Sequence, residues 1–207
     1  MKLEDVKELI DLGRWAVYRA FKGEELSVPE YLKEKYSKPM GVFTTIKSYP
    51  EGKLRGCIGI PLPLYPLWYG VIYSSLQAAF NDPRFTPLQP EEFDKVIWEL
   101  SLLTPPEELK APKEKLPELI EIGRDGLIVE LGQRKGLLLP QVPVEHGWNA
   151  EEFLSYTCIK AGLPPDCWKW NETKVYRFSG EVFKEKEPFG EVIKEELKKP
   201  SASSNYF

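Results

Sequence analysis

The chain has 207 residues, of which 42% are hydrophobic and 13% are aromatic. This composition predicts a folded core rather than a disordered chain. The formal net charge of −4 argues against nucleic-acid binding, which usually requires a basic surface. No apolar stretch approaches the roughly 18 residues that span a bilayer, and the start of the chain is too acidic for a signal peptide, so we expect a cytoplasmic protein without membrane association.

Cysteine and histidine are scarce. The three cysteines, Cys57, Cys158 and Cys167, are an odd number at wide spacing, and we expect all three to be free thiols. His146 is the single histidine, so the sequence predicts neither a metal site nor a bound cofactor. Glu and Lys are abundant while Asn and Gln are few, a bias typical of proteins from hot environments.

The first half predicts a helix, a hairpin, a second helix and a strand. Apolar residues recur at helical spacing over 3–21, and β-branched and aromatic residues mark strands at 42–46 and 53–60. A second apolar helical face follows over 64–80, and residues 96–102 alternate with the period of a strand. These elements predict an α+β fold.

The second half repeats this order. Strands are predicted at 126–131 and 137–139, a helix begins at Asn149, and a strand covers 174–178. We interpret the repetition as an internal duplication.

The expected organisation is one domain over residues 1–190, with an N-terminal helix and two pseudo-repeats at about 40–110 and 122–185. The lysine- and glutamate-rich segment 191–207 is predicted to be a mobile tail.

The segment Leu-Arg-Gly-Cys-Ile-Gly at residues 54–59 carries the main chemical signal. On a regular strand Arg55 and Cys57 project to the same side, and a nearby positive charge lowers a thiol pKa. Gly56 and Gly59 would let a ligand approach the backbone closely, which makes both candidate binding residues. The alternative is structural: Cys57 is a small core residue and the glycines relieve crowding.

Asp82 and Arg84 flank Pro83 in a turn after the second helix. They either present charge to a ligand or tie the helix exit with an ion pair. We retain both as candidate binding residues.

The hexapeptide at 54–59 resembles the signature of the AMMECR family, which has members in archaea, bacteria and eukaryotes. Further segments resemble the family in the same order: Asn-Asp-Pro-Arg-Phe at 81–85, Ile-Gly-Arg-Asp-Gly-Leu at 122–127 and Leu-Pro-Gln-Val at 139–142. The resemblance is to the stand-alone archaeal or bacterial type. It implies two related halves around one curved, barrel-like, mainly antiparallel sheet, and partners of the Memo and radical-SAM types.

Two functions are therefore predicted. In the first, the protein is an enzyme or enzyme subunit in a modification pathway shared with those partners, with Cys57 activated by Arg55. In the second, the Leu54–Gly59 turn binds a partner protein or a small acidic metabolite without catalysis.

Overall fold

The computed structural model describes residues 1–196 and contains both helices and strands. The helices are α1 (Leu3–Phe21), α2 (Glu30–Lys35), α3 (Leu67–Phe80), α4 (Leu116–Leu119), α5 (Gln141–His146) and α6 (Ala150–Lys160). The strands are β1 (Gly41–Ser48), β2 (Leu54–Ile60), β3 (Val96–Leu103), β4 (Glu107–Glu108), β5 (Asp125–Leu131), β6 (Arg134–Leu138), β7 (Lys174–Glu185) and β8 (Val192–Glu195). The strand pairings are antiparallel, which confirms the predicted α+β class.

The described chain forms two compact units. Unit 1 comprises residues 1–105 and 181–195, and unit 2 comprises residues 106–180 with residue 196. β7 contributes residues to both units. The predicted order of hairpin, helix and strand is found in each unit.

In unit 1, β1 lies between β2 and β3. Helices α1 and α3 pack against this sheet, and Val42, Ile46, Trp98 and Leu100 turn their side chains into the resulting core. Because side chains alternate along a strand, neighbouring residues such as Thr45 project from the opposite face. That opposite face carries the candidate site.

In unit 2, β5 lies between β6 and the first part of β7, and β4 also pairs with β7. Helix α6 packs on β5 and β6, and its Phe153 and Leu154 join Leu127 and Val129 in a second core. The Asn149 side chain accepts a hydrogen bond of 2.9 Å from the Glu152 N–H, which confirms the predicted helix cap.

Two of the cysteines are not free. Cys158 on α6 forms a disulfide with Cys167, which opens a short 3-10 helix nine residues later in the sequence. The prediction of a free thiol is wrong for both, because the turn after α6 brings their Cα atoms within 5.8 Å in a buried environment.

Part of the segment predicted as a mobile tail is ordered. Residues 192–195 form β8, which pairs with residues 182–185 of β7. Only two adjacent apolar residues, Val192 and Ile193, mark this strand in the sequence. Residues 197–207 lie outside the described residues. Within residues 1–196, no helix is both long enough and apolar enough to cross a membrane.

Candidate functional site

Cys57 lies on β2, at the outer edge of the β2-β1-β3 arrangement in unit 1. The strand register places Cys57 opposite Thr45 of β1, and Thr45 opposite Glu99 of β3. Directly opposed residues project from the same face of a sheet. Cys57, Thr45 and Glu99 therefore form a row across three strands, on the face turned away from α1 and α3.

The backbone of Cys57 is held from outside the sheet. Its N–H donates to Asp82 Oδ2 at 2.9 Å, and its carbonyl oxygen accepts from Arg84 Nη2 at 3.3 Å. These groups would otherwise be unpaired at a strand edge. On the inner side, the Thr45 hydroxyl donates to Cys57 Sγ at 3.2 Å. The thiol is thus fixed through both its backbone and its sulfur.

Asp82 is the centre of this clamp. Its carboxylate also accepts hydrogen bonds from the Arg84 backbone N–H at 3.1 Å, Nε at 3.0 Å and Nη2 at 2.8 Å. The Arg84 guanidinium and these backbone donors hold the pKa of Asp82 well below its usual range. The Asp82 side chain is 2% exposed and that of Arg84 is 56% exposed. The buried Asp82 carboxylate therefore binds a guanidinium that lies at the surface of the site.

Arg55 is directed elsewhere. β2 contains a bulge in which Ile46 faces Gly56 while Lys47 faces Leu54, so Arg55 is the extra residue. A bulge interrupts the side-chain alternation on which the predicted pairing of Arg55 with Cys57 rested.

The Arg55 guanidinium instead binds the segment that follows α3. It donates to the Glu92 carboxylate at 2.9 and 3.0 Å and to the carbonyl oxygens of Thr86 at 2.7 Å and Pro87 at 3.3 Å. The cation that acts on the Cys57 thiol is Arg84.

The thiol is not preformed as a thiolate. Burial raises the pKa of Cys57, and the Thr45 hydrogen bond and the Arg84 charge offset this only in part, while the carboxylates of Glu99 and Asp82 raise it further. Cys57 is consequently a neutral thiol at pH 7. The sequence-based prediction of a lowered thiol pKa is corrected, because it took no account of burial or of two acidic neighbours.

Glu99 and Lys47 also belong to the site, and neither was among the residues predicted from the sequence. Lys47 Nζ lies 3.0 Å from Glu99 Oε2. Burial raises the pKa of the Glu99 carboxyl despite this cation. At Lys47 burial lowers the pKa, but the charge and hydrogen bond of Glu99, together with the charges of Glu195 and Cys57, outweigh burial and raise the pKa. Next to them, Lys184 pairs with Glu195 at 3.2 Å. A charged residue inside the otherwise apolar strand β3 was the signal available in the sequence.

The glycines of β2 are explained by close packing. A Cβ on Gly56 would lie 2.1 Å from the carbonyl oxygen of Ala78 in α3. A Cβ on Gly59 would lie 2.4 Å from the ring of Phe43 and from the carbonyl oxygen of Val42. Among residues 1–196 no group of three or more Cys, His, Asp and Glu side chains is arranged to hold a metal ion.

Comparison with known proteins gives consistent matches over most of the chain. The AMMECR1 family model matches residues 10–183. A protein from Aquifex aeolicus is 72% identical over 94% of this chain and 100% of its own length, and one from Thermococcus gammatolerans is 51% identical over 91% and 94%. The crystal structure of an uncharacterized protein from Pyrococcus horikoshii superposes with a TM-score of 0.79 at 48% identity, covering 92% of this chain and 96% of that one. The chain belongs to the AMMECR1 family.

Proposed function

We propose that the protein is an enzyme or enzyme subunit whose reacting group is the Cys57 thiol. The observation that carries the proposal is that a free, partly exposed cysteine is fixed at three points, by Asp82, Arg84 and Thr45. Catalytic groups require such positioning because misplacement by about 1 Å costs on the order of 100-fold in rate. A residue that merely fills space needs no hydrogen bond to its sulfur.

In this proposal the resting thiol is neutral and loses its proton as it reacts. The proton passes to solvent at the exposed side of the thiol, and Glu99, two strands away in the same row, is proposed to hold the resting thiol neutral through its charge rather than to take the proton. Lys47 Nζ, 3.0 Å from Glu99 Oε2, favours the ionised form of this carboxylate. Arg84 then stabilises the negative charge on sulfur.

Arg55 is proposed as a positioning residue rather than as the activator of the thiol. Its bonds to Thr86, Pro87 and Glu92 fix the segment that directly follows Asp82 and Arg84. Loss of Arg55 should therefore loosen the clamp on Cys57.

The proposed context is a modification pathway shared with radical-SAM and Memo-type partners. This context rests on what the resemblance of residues 54–59 and the further segments implies. The chemistry of the site fits a subunit whose Cys57 Sγ displaces the leaving group of an electrophile supplied by such a partner, with the thiol proton passing by way of solvent to that leaving group. A second nucleophile then displaces Sγ and the thiol is regenerated.

Co-expression with the radical-SAM and Memo-type proteins of the same organism tests the proposal. We expect wild-type protein to carry a mass increase that peptide fragmentation places on Cys57. Cys57→Ser should lose both the adduct and the pathway product, whereas the Cys158→Ser/Cys167→Ser double variant should keep them. Unchanged product yield with Cys57→Ser would contradict a catalytic role.

A second candidate function is non-catalytic binding of a partner protein or a small acidic metabolite at the Leu54–Gly59 segment. The exposure of the Arg84 guanidinium favours it, since an exposed, oriented guanidinium suits carboxylate recognition. In that case Arg84→Ala should abolish complex formation and Cys57→Ser should preserve it. The reverse pattern would favour the enzymatic function.

A further inference from the structure

A separate cavity lies beside α1 in unit 1. Its volume is about 470 Å³, within the usual range for small-molecule sites. Its lining is almost entirely apolar and consists of Asp11, Arg14, Trp15, Tyr18, Phe93 and Phe189. Four aromatic residues, together with Asp11 and Arg14, thus line one open space, and none of these residues belongs to the Cys57 site.

The floor of this cavity is a buried ion pair whose charges cancel. Arg14 Nε lies 3.1 Å from both carboxylate oxygens of Glu185, and Nη2 lies 2.7 Å from Oε1. The two side chains are 2% and 0% exposed. Because the bidentate carboxylate neutralises the guanidinium, the floor does not attract an anion.

The Arg14–Glu185 ion pair also binds the backbone of two aromatic residues that line the cavity. Arg14 Nη1 donates to the Phe93 carbonyl oxygen at 3.0 Å, and Glu185 Oε2 accepts from the Phe189 N–H at 2.9 Å. Phe189 has φ of 61°, which is unusual for a residue other than glycine. Its ring lies over the Arg14 guanidinium, 4.0 Å from Cζ to the ring centroid, yet remains 48% exposed. The wall is therefore formed in advance of any ligand.

At the rim of the cavity, formed by Asp11 and the Phe189 carbonyl oxygen, an ammonium group is already bound. Lys7 Nζ donates to Asp11 Oδ1 at 2.8 Å and to the Phe189 carbonyl oxygen at 3.4 Å. An exposed ion pair of this kind contributes little stability. A ligand ammonium can take the place of Lys7 between the same two acceptors.

We propose that this cavity binds an organic cation, namely an aromatic ring joined by a short chain to an ammonium group. The ring stacks against Trp15, Tyr18, Phe93 or Phe189, and the ammonium binds Asp11 and the Phe189 carbonyl oxygen. This binding site is independent of the proposed function of Cys57.

Calorimetric titration with tryptamine tests the proposal, with indole-3-propionate as a ligand of the same ring and opposite charge. Wild-type protein should bind tryptamine at least about tenfold more tightly, since only the amine can replace the Lys7 ammonium at the two acceptors, whereas Asp11 repels the carboxylate of indole-3-propionate. Absence of tryptamine binding at millimolar concentration would overturn the proposal, as would equal affinity for the two ligands.

Four variants assign the binding to this cavity. Phe189→Gly removes an aromatic wall at a backbone conformation that glycine adopts readily, so the variant should fold and bind tryptamine at least about tenfold more weakly. Asp11→Asn should reduce the preference for the amine, and Lys7→Met should tighten amine binding by removing the competing ammonium. Tyr156→Ala, which removes an exposed aromatic ring in unit 2, should bind as wild type. Unaltered tryptamine affinity in Phe189→Gly would overturn the assignment.

Discussion

Replacing Asp82 with asparagine tests whether this carboxylate holds Cys57 at the edge of β2. The hydrogen bond from the Cys57 N–H changes from a charged to a neutral acceptor, a loss of about 1–2 kcal/mol. The ion pair with Arg84 adds at most about 1 kcal/mol, because the guanidinium is more than half exposed and solvent screens it. We therefore expect the free energy of unfolding of Asp82→Asn to fall by about 1–3 kcal/mol at pH 7.

Urea denaturation measures this loss, and the rate of Cys57 alkylation shows whether it is local. Asp125→Asn is the matched control: in unit 2 Asp125 accepts from the Glu121 N–H and the Arg124 guanidinium, each at 2.8 Å. Both variants should lose stability, but only Asp82→Asn should alter alkylation of Cys57. A loss below about 0.5 kcal/mol for Asp82→Asn, the range of an ordinary surface substitution, would refute the reasoning.

The same clamp predicts a pH dependence. The pKa of Asp82 is lower in the folded than in the unfolded protein, so its contribution is complete above the unfolded value of about 4. The contribution is lost as pH falls through the folded pKa. The stability difference between wild type and Asp82→Asn should accordingly narrow as the pH is lowered below about 4, and a constant difference would contradict the assignment.

Three further predictions concern the two cores. Reducing the disulfide, or replacing Cys158 and Cys167 with serine, should destabilise unit 2 by about 2–3 kcal/mol, since it closes a loop of only nine residues' separation; equal urea midpoints with and without reductant would contradict this. Arg14→Met should cost about 3–5 kcal/mol by leaving Glu185 buried without its cation, and a near-neutral result in denaturation would show that the carboxyl finds another partner. Gly56→Ala should cost about 1–3 kcal/mol because the new methyl group would lie against a carbonyl oxygen of α3, and an unchanged melting temperature would refute that packing.

The sequence was informative wherever a local pattern decides the structure. The periodicity over residues 3–21 gave the bounds of α1, and Asn149 marked the start of α6, because both signals act within one or two helical turns. The hairpin of β1 and β2 was likewise predicted from the β-branched and aromatic residues of its two strands. The sequence patterns that mark these elements lie within the elements themselves.

Long-range features were harder to foresee. The bulge at Arg55 depends on how β2 pairs with β1, so residue alternation alone placed Arg55 beside Cys57. Asp82 and Arg84, which form the clamp, lie 25 and 27 positions from Cys57 in the sequence. Both residues were predicted as candidates from the sequence. Their bonds to the Cys57 backbone could not be predicted, because they depend on how the turn after α3 packs against the edge of β2.

The protonation state of Cys57 was the feature hardest to predict from the sequence, because it combines burial with charges from two different segments. Glu99 raises the pKa of the thiol from β3, while Arg84 lowers it from the turn after α3. The sequence shows these charges without their distances. That the resting thiol is neutral therefore follows from the structure and could not be predicted from the sequence.

The pH dependence of Cys57 alkylation by iodoacetamide tests the central claim most directly, since the disulfide leaves Cys57 as the free cysteine. The midpoint should lie above the ordinary thiol value of about 8.5 in wild type and move lower in Glu99→Gln, which removes a neighbouring negative charge. A wild-type midpoint below 8.5, or one that Glu99→Gln leaves in place, would contradict a neutral thiol coupled to Glu99.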